Sequence, residues 1–129
     1  MILGTGIDIC EVDRMRKAIT AAHGPRLEQR VFTALEIAYA HRRSASRFQR
    51  LAARFAAKEA GMKAFGTGWR NGIQWHDLEV RNLPSGRPTL LLHGRAAELA
   101  QEMGVGQISL SLTHTADQAM AMVILESRE

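Results

Sequence analysis

Residues 44–66, SASRFQRLAARFAAKEAGMKAFG, carry the pattern on which the fold reading turns. Phe48, Leu51, Ala52, Phe55, Ala56, Glu59, Met62 and Lys63 fall on one broad stripe at helical spacing, so the segment reads as the longest helix of the chain. Ser44 or Ser46 opens it, and Phe65-Gly66 closes it, because glycine takes the left-handed turn after a helix without strain. Glu59 is out of place on an apolar stripe. Its simplest partner is Lys63, four residues on, in a pair worth only about 0.3–0.5 kcal/mol.

Upstream, residues 2–12 (ILGTGIDICEV) read as an opening strand. Asp13 is placed to cap a helix over 14–22, His23-Gly24-Pro25 stops it, and Pro25 suits the first turn of another through 30. Thr33-Ala34-Leu35-Glu36 is a capping box that starts a helix to about 43. Downstream of the glycine-bearing segment 66–72, the pattern predicts a strand at 74–81, a Pro/Gly turn at 83–88 and a partner strand at 89–92. A helix over 96–103 follows, then strands at 107–113 and 118–126 around His114-Thr115-Ala116-Asp117. Helices gather in the first half and strands in the second. This predicts an α+β fold, helices packed on a small antiparallel sheet, with 1–129 as one domain.

The composition agrees: 129 residues, 46% hydrophobic and 23% charged, suit one globular core. With Cys10 as the one cysteine no intrachain disulfide can form, and the start MILGTGID lacks a signal-peptide pattern, so a cytoplasmic location is expected. Apolar runs such as 89–92 fall far short of the ~18 residues of a membrane span. Residues 1–63 hold 12 Lys/Arg against 6 Asp/Glu, and residues 64–129 hold 5 against 7. The basic first half suits a polyanionic partner.

Asp8 interrupts an apolar strand and shares a face with Gly4, Gly6, Cys10 and Val12. A carboxylate there needs a basic partner, hydrogen bonds or a metal. Asp8 and Glu59 from different elements, with Lys63 beside them, suit a Mg²⁺ that keeps waters and bridges phosphate oxygens. Gly66-Thr67-Gly68 offers backbone N–H groups to a phosphate, although a helix cap accounts equally for Gly66. Gly4-Thr5-Gly6 lacks the third glycine and the crossover of a dinucleotide-binding loop. The five histidines make no zinc motif, and His114 reads first as a surface residue opening a turn.

In four ordered blocks spanning nearly the whole chain, the sequence resembles the bacterial holo-acyl-carrier-protein synthases of the phosphopantetheinyl transferase superfamily. The blocks are Gly4-Thr5-Gly6-Ile7-Asp8-Ile9 with Glu11 and Arg14, Phe32-Thr33 with Glu36, and Arg54-Phe55-Ala56-Ala57-Lys58-Glu59-Ala60 with Lys63 through Gly68. The last is Ser111-Leu112-Thr113-His114 with Ala119. Gln118, Cys10 and Gly61 depart from the pattern, and Gly61 is expected to cost about 1 kcal/mol of helix stability relative to alanine. The resemblance implies transfer of 4'-phosphopantetheine from coenzyme A to a serine of an acyl carrier protein, in fatty acid biosynthesis. It implies Asp8 and Glu59 as Mg²⁺ ligands and Lys63 against the phosphates. Arg54, His114 and the Gly66, Thr67, Gly68 loop then hold the nucleotide end. It further implies a homotrimer with sites between subunits, and a first helix whose Arg14 and Lys17, with Arg26, meet an acidic carrier. Either Glu59 or a metal-held water then takes the serine proton. A transferase serving a polyketide or peptide carrier is the nearer alternative. A basic nucleic-acid-binding module ranks behind, since it leaves both carboxylates unexplained and aromatics are only 5% of the chain.

Overall fold

Strand β1 (Ile2–Glu11) forms one edge of a three-stranded antiparallel sheet ordered β1-β5-β4, in which β4 is Val105–His114 and β5 is Gln118–Ser127. The computed structural model describes residues 1–66 and 72–128. A separate two-stranded antiparallel sheet pairs β2 (Leu78–Asn82) with β3 (Pro88–Leu92). Five α-helices stand among the described residues: α1 (Val12–Thr20), α2 (Gly24–Val31), α3 (Ala34–His41), α4 (Arg47–Phe65) and α5 (Gly94–Met103). The α+β architecture expected from the sequence is present, with its strands divided between two sheets. No helix among the described residues is long and apolar enough to cross a membrane.

Helix α4 is the centre of the packing. Alternation on β5 buries Ala119, Ala121, Val123 and Leu125 beneath it and leaves Met120 and Met122 on the other face. One core lies among α4, the larger sheet, the β2–β3 hairpin and α5; a second joins α1, α2 and α3 to the first turns of α4. On β1 the two glycines sit against the helix backbone itself. A Cβ on Gly6 would overlap the carbonyl of Ala60, and one on Gly4 the carbonyl of Ala64. Gly61, expected only to weaken the helix, also has a packing role: a Cβ there would meet Leu90 at 3.3 Å and Leu78 at 3.6 Å, so its absence lets the hairpin seat on α4.

The capping box forms as read: the Thr33 N–H donates to Glu36 Oε1 at 2.9 Å, and the Glu36 N–H to Thr33 Oγ1 at 3.3 Å. Two local expectations are corrected. Helix α1 begins at Val12, so Asp13 is no cap; it lies in the first turn and pairs with Arg16 at 3.0 Å and Lys17 at 3.1 Å. Ser46, one of the two serines expected to open α4, takes its N-cap position without a side-chain cap hydrogen bond, and Ser44–Ser46 form a 3-10 turn that leads into the helix. The strand expected at 74–81 starts only at Leu78. Before it, Trp75–Asp77 is a 3-10 turn in which Asp77 Oδ2 accepts the Gln74 N–H at 3.0 Å, while the Asp77 carbonyl accepts the His93 N–H at 2.8 Å. That side-chain alternative outcompetes the sheet ladder locally.

Gly6→Ala should therefore cost about 3 kcal/mol or more of stability, because its overlap is with backbone that cannot rotate away. Urea unfolding checks this; an unchanged midpoint would mean that β1 and α4 can separate at no cost.

Candidate active site

Asp8 follows Gly6 by two residues on the face of β1 that meets α4. Lys63, in the last turn of α4, reaches across to it. Its Nζ donates to Asp8 Oδ1 at 2.9 Å and to the Ile7 carbonyl at 3.1 Å. The lysine thus pairs with the strand carboxylate, and the i,i+4 ion pair with Glu59 expected from spacing is replaced. Glu59 is half-buried one turn earlier. Burial, and next the negative charge of Asp8, push its carboxyl pKa up, against the pull of Lys63. Two carboxylates and an ammonium therefore converge from β1 and α4, as the sequence suggested.

Asp8 and Glu59 supply hard oxygen donors, the type that Mg²⁺ takes. No group of three or more His, Cys, Asp or Glu able to hold a metal occurs among the described residues. The donor set therefore fits a cation that draws its remaining ligands from water and phosphate, and does not fit a protein-only cage.

A groove of about 360 Å³ includes none of Asp8, Glu59 and Lys63 in its lining but is formed in part by their chain neighbours, Ile9 and Cys10 on β1 and Phe55 on α4, together with Arg14, Met15 and Trp75. Phe55 is one helical turn before Glu59, and its ring lies 5.1 Å from that of Trp75. Burial pushes the Cys10 thiol up to about 11, so it is an unreactive member of the wall. Of the three basic residues grouped by the resemblance, Arg14 lines this groove and Lys17 is on the same helix, paired with Asp13. Arg26 lines a different hollow with His23 and Pro25.

Arg54 and His114 also come together, but elsewhere. They line a cavity with Tyr39, Arg50 and Asn82 that includes neither Asp8, Glu59 nor Lys63. Five residues along a helix turn its direction by about 140°, so Arg54 and Glu59 leave α4 on nearly opposite sides. The guanidinium of Arg54 lies 4.0 Å from the Tyr39 ring centroid and that of Arg50 4.2 Å. Arg54 is 4% exposed, and its buried Nε has no hydrogen-bond partner among the described residues. His114 ends β4 and is exposed, rather than opening the following turn.

Gly66 is accounted for by the helix cap: its φ is +77°, and its N–H donates to the Met62 and Lys63 carbonyls. Thr67 and Gly68 lie outside the described residues. The sequence reading missed Lys58, which is fully buried against Glu36 at 2.8 Å. Its signal was available: Leu51, Gly61 and Met62 lie at helical spacing around it, so a basic residue at position 58 must be enclosed.

The chain belongs to the 4'-phosphopantetheinyl transferase superfamily, whose family model matches residues 4–123. Within that group it is similar to the holo-[acyl-carrier-protein] synthase of Solibacter usitatus, with 58% identity over 98% of this chain and 100% of the relative. The synthase of Koribacter versatilis is 52% identical over 98% of this chain and 99% of its own. Among solved structures, the synthase of Neisseria meningitidis superposes with a TM-score of 0.89 at 29% identity, covering 98% of this chain and 100% of that one. The Bacillus anthracis synthase, solved in complex with CoA (3',5'-ADP), gives 0.80 at 36% identity over 98% of each chain.

Because folding raises the pKa of Glu59, its ionised form costs stability above the folded pKa, and that cost disappears as pH falls through it. In metal-free solution at neutral pH, Glu59→Gln should raise Tm by about 1–2 °C, discounting for solvent screening, with the gain vanishing in acid. Calorimetry across pH measures this; a lower Tm for the variant at neutral pH would contradict it.

Proposed function

We propose that the protein transfers 4'-phosphopantetheine from coenzyme A to a serine of an apo acyl carrier protein, releasing adenosine 3',5'-bisphosphate. The observation that carries the reading is the meeting of Asp8, Glu59 and Lys63 across β1 and α4. Supporting it are the name shared by the relatives and the coenzyme A in solved neighbours. Fatty acid biosynthesis in the cytoplasm is the setting that fits an acyl carrier acceptor.

In this reaction the serine Oγ bonds to the β-phosphorus of coenzyme A, the bond from that phosphorus to the bridging oxygen breaks, and the serine proton must leave. Lys63 is suited to meet the pyrophosphate, since its side chain is 55% exposed and its ammonium is held by hydrogen bonds that a phosphate can replace. Glu59 is suited to receive the proton, because burial and Asp8 raise its affinity for one. Asp8 and Glu59 would hold Mg²⁺, which when bound supplies positive charge to the phosphate oxygens. The apolar groove beneath Arg14, with Lys17 on the same helix, offers a carrier both an apolar seat and basic contacts. Arg26, facing another hollow, is the weaker member of that set.

Arg54 and His114 are read as the holders of the nucleotide end. Their placement away from Glu59 on the same chain supports a site shared between copies. So does the uncovered sheet face. Ile7 (54% exposed), Ile9 (50%), Met120 (37%) and Met122 (43%) stand together there through the pairs Ile7–Met122 and Ile9–Met120. A homotrimer that covers this face and brings Arg54 of one subunit to Glu59 of the next is the arrangement proposed.

Incubation with coenzyme A, Mg²⁺ and apo acyl carrier protein should add a phosphopantetheine arm to the carrier, read by mass spectrometry; no mass gain would end the proposal. Glu59→Gln should lower turnover at least about 100-fold. Arg14→Glu should mainly raise the carrier KM, about 10-fold, with kcat preserved. Co-expressed Glu59→Gln and Arg54→Ala chains, each inactive alone, should regain activity at about a quarter of their sites. Absence of such rescue in mixed trimers would place each site within one chain.

A further inference from the structure

The most deeply enclosed cation among the described residues takes no part in the steps above. Lys58 directly precedes Glu59 on α4, and both it and its partner Glu36 have side chains that are 0% exposed. The ammonium has three N–H groups and three acceptors: Glu36 Oε1 at 2.8 Å, the Leu78 carbonyl at 2.6 Å and the Trp75 carbonyl at 3.1 Å. Glu36 is equally committed. Its Oε1 also accepts the Thr33 N–H at 2.9 Å, and its Oε2 accepts the Val80 N–H at 2.8 Å. Thr33 Oγ1 in turn donates to Glu79, which also holds His93 at 3.0 Å and Arg81 at 3.2 Å.

A buried ion pair adds little stability over well-packed apolar groups of the same shape, so its effect has to be sought in the geometry it enforces. Consecutive helical residues differ in direction by about 100°. With Lys58 held in a socket made from α3, the 3-10 turn and β2, helix α4 cannot roll about its axis without turning Glu59 away from Asp8. On the β1 side, Gly4 and Gly6 pin the same helix against the strand. The socket has a second output, because the Trp75 carbonyl belongs to the residue whose ring packs on Phe55 in the wall of the groove beneath Arg14.

We infer that Lys58 is a positioning residue for the transfer reaction: its ammonium, saturated by Glu36, Trp75 and Leu78, sets both the direction of Glu59 and the Trp75 wall of the carrier groove. The inference rests on the proposed reading of Asp8, Glu59 and the groove. It departs from a purely structural role in predicting a kinetic defect that survives restored stability.

The test compares the wild type, Lys58→Met, and the charge-balanced double variant Lys58→Met/Glu36→Gln, assayed with coenzyme A, Mg²⁺ and apo acyl carrier protein. Both variants should lose about 10- to 100-fold in kcat and gain a raised carrier KM, even where the urea midpoint of the double variant matches the wild type. Wild-type kcat and KM in a folded double variant would overturn the inference. A second measurement needs no variant. Hydrogen exchange at the Val80 amide of the wild type should slow severalfold on adding coenzyme A and Mg²⁺, since coupling between site and socket is reciprocal; unchanged exchange overturns the inference equally. A wild type that transfers nothing removes the site reading and the inference together, whereas normal transfer beside unaffected variants removes the inference alone.

Discussion

The meeting of Asp8, Lys63 and Glu59 depends on two positions of β1 that carry no side chain. Gly4 and Gly6 bring the strand against the backbone carbonyls of Ala64 and Ala60, an approach that any Cβ would block. Helix α4 answers with small residues: Ala52, Ala53, Ala56, Ala57, Ala60 and Ala64 are all buried. With helix and strand this close, Asp8 arrives beside Lys63 while still on the strand, and Glu59 comes near enough for the charge of Asp8 to act on it. Strong side-chain packing elsewhere would not substitute for this contact, because the separation of two backbones sets where both carboxylates stand.

The two lysines of the helix show how burial decides what a charge can do. Lys58 has spent every donor on fixed acceptors in an enclosed socket, where exchange of partners is costly. Lys63, five residues later, makes two bonds at a half-exposed edge and can trade them for an incoming anion. Between them Glu59 keeps a carboxylate that the fold alone does not favour in its ionised form. An arrangement that disfavours its own charge in isolation is what the proposed proton-accepting role calls for.

Much of this was legible in the sequence because it is written at short range. The stripe of α4, the Thr33–Glu36 box and the alternation of the last strand each follow from spacings of two to four residues. The two misplaced carboxylates were legible for the same reason, since an acid on an apolar face needs an explanation wherever that face ends up. Partner choice was not legible. Lys63 had a candidate four residues away on its own helix and another 55 residues away on β1; only the Gly4 and Gly6 contact makes the distant one nearer. The strand expected at 74–81 failed where Asp77 offered the backbone a local alternative. Lys58 was overlooked because its acceptors are carbonyls and a carboxylate from three separate elements, none adjacent in sequence.

Strand β1 sits beside β5, so the strand that presents Asp8 pairs with the most distant strand along the chain. Their far ends are tied as well: the Met1 ammonium donates to Ser127 Oγ at 3.1 Å, and the Ser127 N–H donates to the Met1 carbonyl at 2.8 Å. A nascent polypeptide leaving the ribosome must therefore carry its first strand without a sheet partner until β5 has been synthesised, so closure is a late, non-local event.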